Sequence, residues 1–287
     1  MNRCRFSLPL FLPLLWLALG GMPAFSQDEF QQKTLKFLYG LEQKDGSFAL
    51  DAQGKADLRS TSAAIRAIRY LGGKIPHPES TAKYISQCFD EKTGGFAATP
   101  AGKVEIAITA VGLMAAAEVK ATGPYAEAAR RYLMEHAQTF EERRIAVAGL
   151  EAIPPYPKDL QEKWLLPLLK EIQKDGTFGS VRATGGTAAM LLRAGVKLNE
   201  DQLTAMKKQL VEGQAADGGY AAPDAKNSDI ETTYRVMRAL HLMNARPKNP
   251  EKLAAYVKTL AHPEGGFGSP PNARDTYYAA IILYWLK

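Results

Sequence analysis

The chain of 287 residues is 46% hydrophobic and 23% charged, has a formal net charge of +6, and holds four histidines and two cysteines. Its basic excess is spread along the whole length, which excludes the clustered basic surface of a nucleic-acid-binding protein. With so few cysteines a disulfide scaffold is excluded as well.

Residues 1–26 read as a signal peptide. Arg3 and Arg5 make a basic start, Leu8 to Leu19 is an apolar run, and Ala24-Phe25-Ser26 is a small-x-small cleavage site before Gln27. The run is shorter than the roughly 20 residues of a membrane span, although an uncleaved anchor is the other reading. Cleavage near Ser26 leaves 27–287 as a single exported domain, periplasmic or secreted, with no transmembrane segment expected. Its charge falls to +4 without the two leader arginines, and Cys88 is its lone cysteine, read as a small core residue.

The periodicity of 27–287 predicts about twelve helices in six pairs. An outer helix near 29–42 is followed by an inner one near 58–71, and the pattern repeats at 78–89 and 104–119, then 124–137 and 142–153. Three further pairs fall near 158–172 and 183–194, 200–213 and 229–243, and 250–261 and 275–286. The outer helices are amphipathic, as in Leu253, Tyr256, Val257 and Leu260 at i, i+3, i+4, i+7. Asn249-Pro-Glu251 and Asn199-Glu-Asp-Gln202 carry capping chemistry at their starts. The inner helices are apolar nearly all round; from Ile106 to Ala117 the sole polar side chain is Thr109. A helix of that kind must be enclosed on every side.

A Gly-aromatic turn punctuates the pairs: Asp45-Gly-Ser-Phe48, Thr93-Gly-Gly-Phe96, Asp175-Gly-Thr-Phe178, Asp217-Gly-Gly-Tyr220 and Glu264-Gly-Gly-Phe267. The aromatics stand 48, 82, 42 and 47 positions apart, so a decayed turn is expected near Phe140. A repeat of this length means units that cannot bury their own apolar faces and must stack. An open solenoid would need a polar terminal cap. The chain ends instead on Ile281-Ile-Leu-Tyr-Trp-Leu286, which needs the first unit as its neighbour. The expected fold is all-α: a closed ring of six helical hairpins with inner and outer layers, an α/α toroid.

The turn, the polar loop and the apolar helix together resemble the repeat of protein prenyltransferase β-subunits and squalene-type cyclases, across essentially all of 28–287. They are most similar to the geranylgeranyltransferase-type β-subunit. By that resemblance Lys226 stands at a diphosphate-binding lysine and Asp229 at the zinc aspartate. Pro223 replaces the diphosphate arginine, Glu231 the zinc cysteine and Tyr278 the zinc histidine. Thr184, in Thr184-Gly-Gly-Thr187, replaces the diphosphate histidine. Two of six positions are kept, so no zinc cofactor is expected, and Asp229 is a metal position by resemblance alone. The protonating Asp-x-Asp-Asp motif of the cyclases is absent. The separate α-subunit that the transferases need is not expected beside an exported chain.

In a closed ring, equivalent positions converge on the mouth of a shared lumen. Glu105, Glu231 and Asp275 fall near inner-helix starts, where the helix dipole alone accounts for acids. Arg59, Arg144, Arg182, Arg235 and Arg274, with Tyr234, Tyr277 and Tyr278, would complete a polar, aromatic-edged funnel. Glu141-Glu-Arg-Arg144 reads as solvated, or paired at i, i+3. Three functions follow. The chain is a prenyltransferase-like toroid holding an apolar, isoprenoid-like small molecule or a peptide; or a secreted binding module without chemistry; or a carbohydrate-active enzyme using paired mouth carboxylates.

Overall fold

The computed structural model describes residues 27–287; the expected leader and its cleavage point near Ser26 lie outside the described residues. Five regular outer helices are α1 (Gln27–Tyr39), α3 (Pro78–Gln87), α5 (Ala126–His136), α8 (Glu200–Glu212) and α10 (Pro250–Thr259). Six inner helices alternate with them: α2 (Leu58–Tyr70), α4 (Ile106–Glu118), α6 (Phe140–Leu150), α7 (Val181–Arg193), α9 (Ile230–Leu242) and α11 (Ala273–Trp285). The outer place of the fourth unit is held by a π-type turn over Gln161–Leu165 running into a 3-10 turn over Leu166–Glu171. Pro167 explains the irregularity, because it has no N–H to continue an α ladder. The expected caps form: Asn199 and Gln202 exchange bonds of 2.8 and 3.0 Å in a capping box, and Asn249 accepts from the Lys252 N–H at 2.9 Å.

One hydrogen bond recurs in each unit that keeps its turn. The main-chain N–H of Phe48, Phe96, Phe178, Tyr220 and Phe267 donates to Oγ1 of Thr61, Thr109, Thr184, Thr233 and Thr276, at 2.9–3.1 Å. All five threonines are fully buried on the first turns of the inner helices. Phe48, Phe96, Tyr220 and Phe267 are sealed between the layers, each burial worth about 1.5–3 kcal/mol. Phe96 and Phe89 also pair across a two-residue ladder, β1 (Phe89–Asp90) with β2 (Gly95–Phe96). The third unit has discarded the device. Only Ala137–Thr139 join α5 to α6, and Phe140 opens α6 at 37% exposure. A Thr139–Glu142 capping box starts that helix instead.

The inner helices contact one another in the order α2, α4, α6, α7, α9, α11 and back to α2. The ring closes with a bond already used inside it. The Ala273 N–H at the start of α11 donates to the Leu50 carbonyl at 2.8 Å, as Leu58 at the start of α2 donates to Ala98 at 2.7 Å. Phe30 meets Phe267 edge-on at 5.3 Å across the same seam. Gly265 lies here with φ +104°, and a Cβ on it would stand 2.3 Å from the Lys33 carbonyl oxygen. Only glycine serves at that point.

Candidate ligand-binding lumen

All six inner helices enter the ring from the same side, so their first turns frame a mouth and their last turns a floor. Between them lies a cavity of about 410 Å³. Its apolar lining, Ala63, Ala107, Val111, Met114, Ile145 and Ala148, comes from α2, α4 and α6, and its aromatic lining, Tyr234, Tyr277 and Tyr278, from α9 and α11.

At the mouth, Arg235 on α9 joins two carboxylates. It holds Glu141 on α6 bidentately at 2.9 and 3.1 Å and Glu231 on its own helix at 2.7 Å. Arg182 adds a bond to Glu231 at 2.9 Å, and Arg144 one to Glu141 at 2.9 Å. Burial works against the charge of Glu141, but Arg235 and Arg144 outweigh it and hold the carboxyl below its ordinary range. The Arg235 reach depends on close packing of α7 on α9, where a Cβ on Gly185 would meet the Val236 backbone at 3.0 Å. The 141–144 run therefore pairs at i, i+3, and its Glu141, Glu142 and Arg144 also line the lumen, with Glu141 still exposed to solvent.

Deeper in, the lumen turns cationic and aromatic. The Arg66 guanidinium lies 4.3 Å over the Tyr277 ring, with Glu118 no closer than 4.0 Å. Arg238 donates to the Tyr234 hydroxyl at 3.2 Å and lies 4.8 Å over the Trp285 ring. Tyr234 stacks on Tyr278 at 4.7 Å, and its hydroxyl meets that of Tyr277 at 3.3 Å. Burial pushes both phenols up, but Arg238, Arg193 and Arg66 face Tyr234 and bring it well below the usual tyrosine range. Tyr277, beside it, is raised by burial. The pair thus surrenders its first proton readily and its second with difficulty.

The residues singled out by sequence divide accordingly. Glu231, Tyr234, Tyr277 and Tyr278 line the cavity, with Arg59, Arg144, Arg235 and Arg274. Arg182 stands behind Glu231. Lys226 is exposed in the loop before α9 and is not part of the cavity lining. Glu105 is exposed at the N-cap of α4, also outside the lining. Asp275 closes the cap of α11 with Asn272, as the dipole reading requires. Thr184 faces no ligand; it is fully buried and receives the Phe178 N–H. The inner helices are less uniformly apolar than expected. Sequence reasoning missed Arg66, Arg193 and Arg238, although an arginine inside an enclosed helix is itself the mark of a lumen.

A zinc ion does not fit these side chains. Asp229 is committed to the Thr232 N–H at 2.7 Å, and Glu231 to two arginines. Burial pushes the Tyr278 phenol up to about 12, so it stays protonated. Among the described residues no group of three or more His, Cys, Asp or Glu could hold a metal ion. Cys88 is buried in the core, its thiol pushed up to about 11 by burial.

The family model for the prenyltransferase alpha-alpha toroid domain matches residues 11–149 and 185–287. The chain belongs to this family. No curated protein matches it in sequence. The toroid is similar to the type II terpene cyclase MstE from Scytonema, at 14% identity and TM-score 0.64, over 90% of this chain and 97% of that one. A variant of that cyclase, solved with geranylgeranyl dihydroxybenzoate as substrate, aligns with the same score and identity over 90% and 96% of the two chains. A protein from Actinoplanes aligns at 13% identity and TM-score 0.61, over 91% and 98%. Identities this low speak for the fold of the toroid alone. Among the described residues no helix is long and apolar enough to cross a membrane.

Proposed function

We propose that this toroid is an exported protein, 27–287 forming one domain after cleavage near Ser26, that holds one amphiphilic, isoprenoid-like molecule in its lumen. The observation that carries the reading is the lining of the cavity: Ala63, Ala107, Val111, Met114, Ile145 and Ala148 with three tyrosines around about 410 Å³. That volume lies within the range of about 300–1,000 Å³ usual for small-molecule sites. A solved neighbour named for an isoprenoid substrate supports it.

Zinc-dependent prenylation has no support in the donor set. Acid-initiated chemistry would need a carboxyl that keeps its proton, whereas of the lining carboxyls Glu141, Glu151 and Glu231 are each ion-paired to arginine and Glu142 accepts the Gln138 and Thr139 N–H groups. The same pairing counts against glycoside hydrolysis, since Arg235 bridges Glu141 and Glu231 where two opposed carboxylates with open space between them would be required. The role proposed is binding.

Native mass spectrometry of the mature protein tests this. An adduct of lipid mass, displaced by farnesol-type alcohols at one per chain, is the expected result. Stoichiometric zinc, or a lumen that takes up neither isoprenoids nor other amphiphiles, would overturn it. Cell fractionation with N-terminal sequencing should find Gln27 as the first residue outside the cytoplasm.

A further inference from the structure

Beside the lumen, between α7 and α9, a side chamber of about 20 Å³ opens. It is lined by Arg144, Arg193, Arg235, Arg238 and Tyr234, with Gly186, Ala189 and Met190 completing the wall, and no carboxylate is in its lining. Arg144, Arg193, Arg235 and Tyr234 also line the lumen, so the two spaces adjoin. Arg144 and Arg235 have carboxylate partners at the mouth, and Arg193 stands 3.2 Å from Glu151. Arg238 has none among the described residues; its bond is to the Tyr234 hydroxyl, and its buried Nε has no acceptor. The Tyr234 phenol is the acidic group that faces Arg238 and leaves that Nε unmet, and a space this size holds about one oxygen-sized atom.

We infer that this chamber is an anion site that takes one oxygen of a carboxylate head group, while the rest of the same amphiphile lies in the lumen. The inference rests on the lumen reading above and names the class of ligand: a carboxylate attached to an apolar chain. A planar carboxylate matches the guanidinium fork and supplies the Arg238 Nε with its missing acceptor. The chamber lies at the mid-depth of α7 and α9, on the far side of Arg235 from the exposed Lys226 loop.

Isothermal titration calorimetry with dodecanoate, dodecanol and acetate separates the sources of binding. Wild-type protein should prefer dodecanoate to dodecanol by about ten-fold, the scale of one charge-assisted hydrogen bond. Arg238→Met should bring the two ligands to near parity by weakening dodecanoate alone, and Arg238→Lys should keep part of the preference. If Arg238→Met does not fold, Arg193→Met supplies the same comparison. Equal affinity for acid and alcohol in the wild type, or a preference that survives both methionine variants, would overturn the anion site and leave the lumen reading standing. Acetate binding as tightly as dodecanoate, with dodecanol silent, would leave the anion site and overturn the lumen reading. Heat from none of the three would overturn both.

Discussion

The Arg235 guanidinium grips Glu141 across α7 with two bonds of 2.9 and 3.1 Å, although the residues stand 94 positions apart. The contact ties the third unit, which lost its aromatic turn, to the fifth, which kept it. Glu141 is 55% exposed, so solvent screening limits its worth.

Glu141→Gln should lower stability by about 1 kcal/mol or less at neutral pH. Because the folded carboxyl is held below the ordinary glutamate value of about 4.3, its contribution is fully present above about that pH and disappears as pH falls through the depressed folded value. Urea melts of wild type and variant should therefore differ at pH 7 and converge in acid. A difference that grows on acidification would contradict the assignment.

The bond from Phe96 to Thr109, at 2.9 Å, is one of five equivalents. Thr109→Val keeps the shape and leaves a buried N–H without its acceptor. It should cost about 1–3 kcal/mol, and Thr109→Ser should restore much of it. Chemical denaturation checks this; an unchanged midpoint in Thr109→Val would remove the threonine from its structural role.

Phe267 and Phe140 offer a contrast between a wedge and a remnant. Phe267 is fully buried at the ring seam and Phe140 is 37% exposed. Phe267→Ala should cost about 3–5 kcal/mol, whereas Phe140→Ala should stay within about 0.5 kcal/mol. Comparable losses in both would mean that the third unit still uses its aromatic as a wedge.

Tyr234 faces Arg238, Arg193 and Arg66, which lower its phenol despite burial. A titration followed at 295 nm should show one tyrosinate forming well below the usual value of about 10. Tyr234→Phe should abolish that early step. Persistence of the step in the variant would assign it to another residue.

The hairpin order, the caps and the turns could be read from the sequence because each depends on groups a few residues apart. The apolar terminal helix even announced ring closure, and Ala273 with Leu50 completes it. The gap in the period also pointed to a decayed turn near Phe140, where a three-residue connection now joins α5 to α6. The candidate site was half legible. Glu231, Tyr234, Tyr277 and Tyr278 do line the lumen, since equivalent positions in a ring converge. Lys226 and Glu105 fell outside the cavity lining because the loop and cap residues of a repeat share its register without sharing its inward direction.

By itself the amino-acid sequence determined a ring of hairpins, through turn chemistry, capping and apolar periodicity, all of which act over short range. Only the closed ring decided what the lumen is. Arg66, Arg193 and Arg238 come from three different helices, and their charges acquire meaning only when those helices enclose one low-dielectric space.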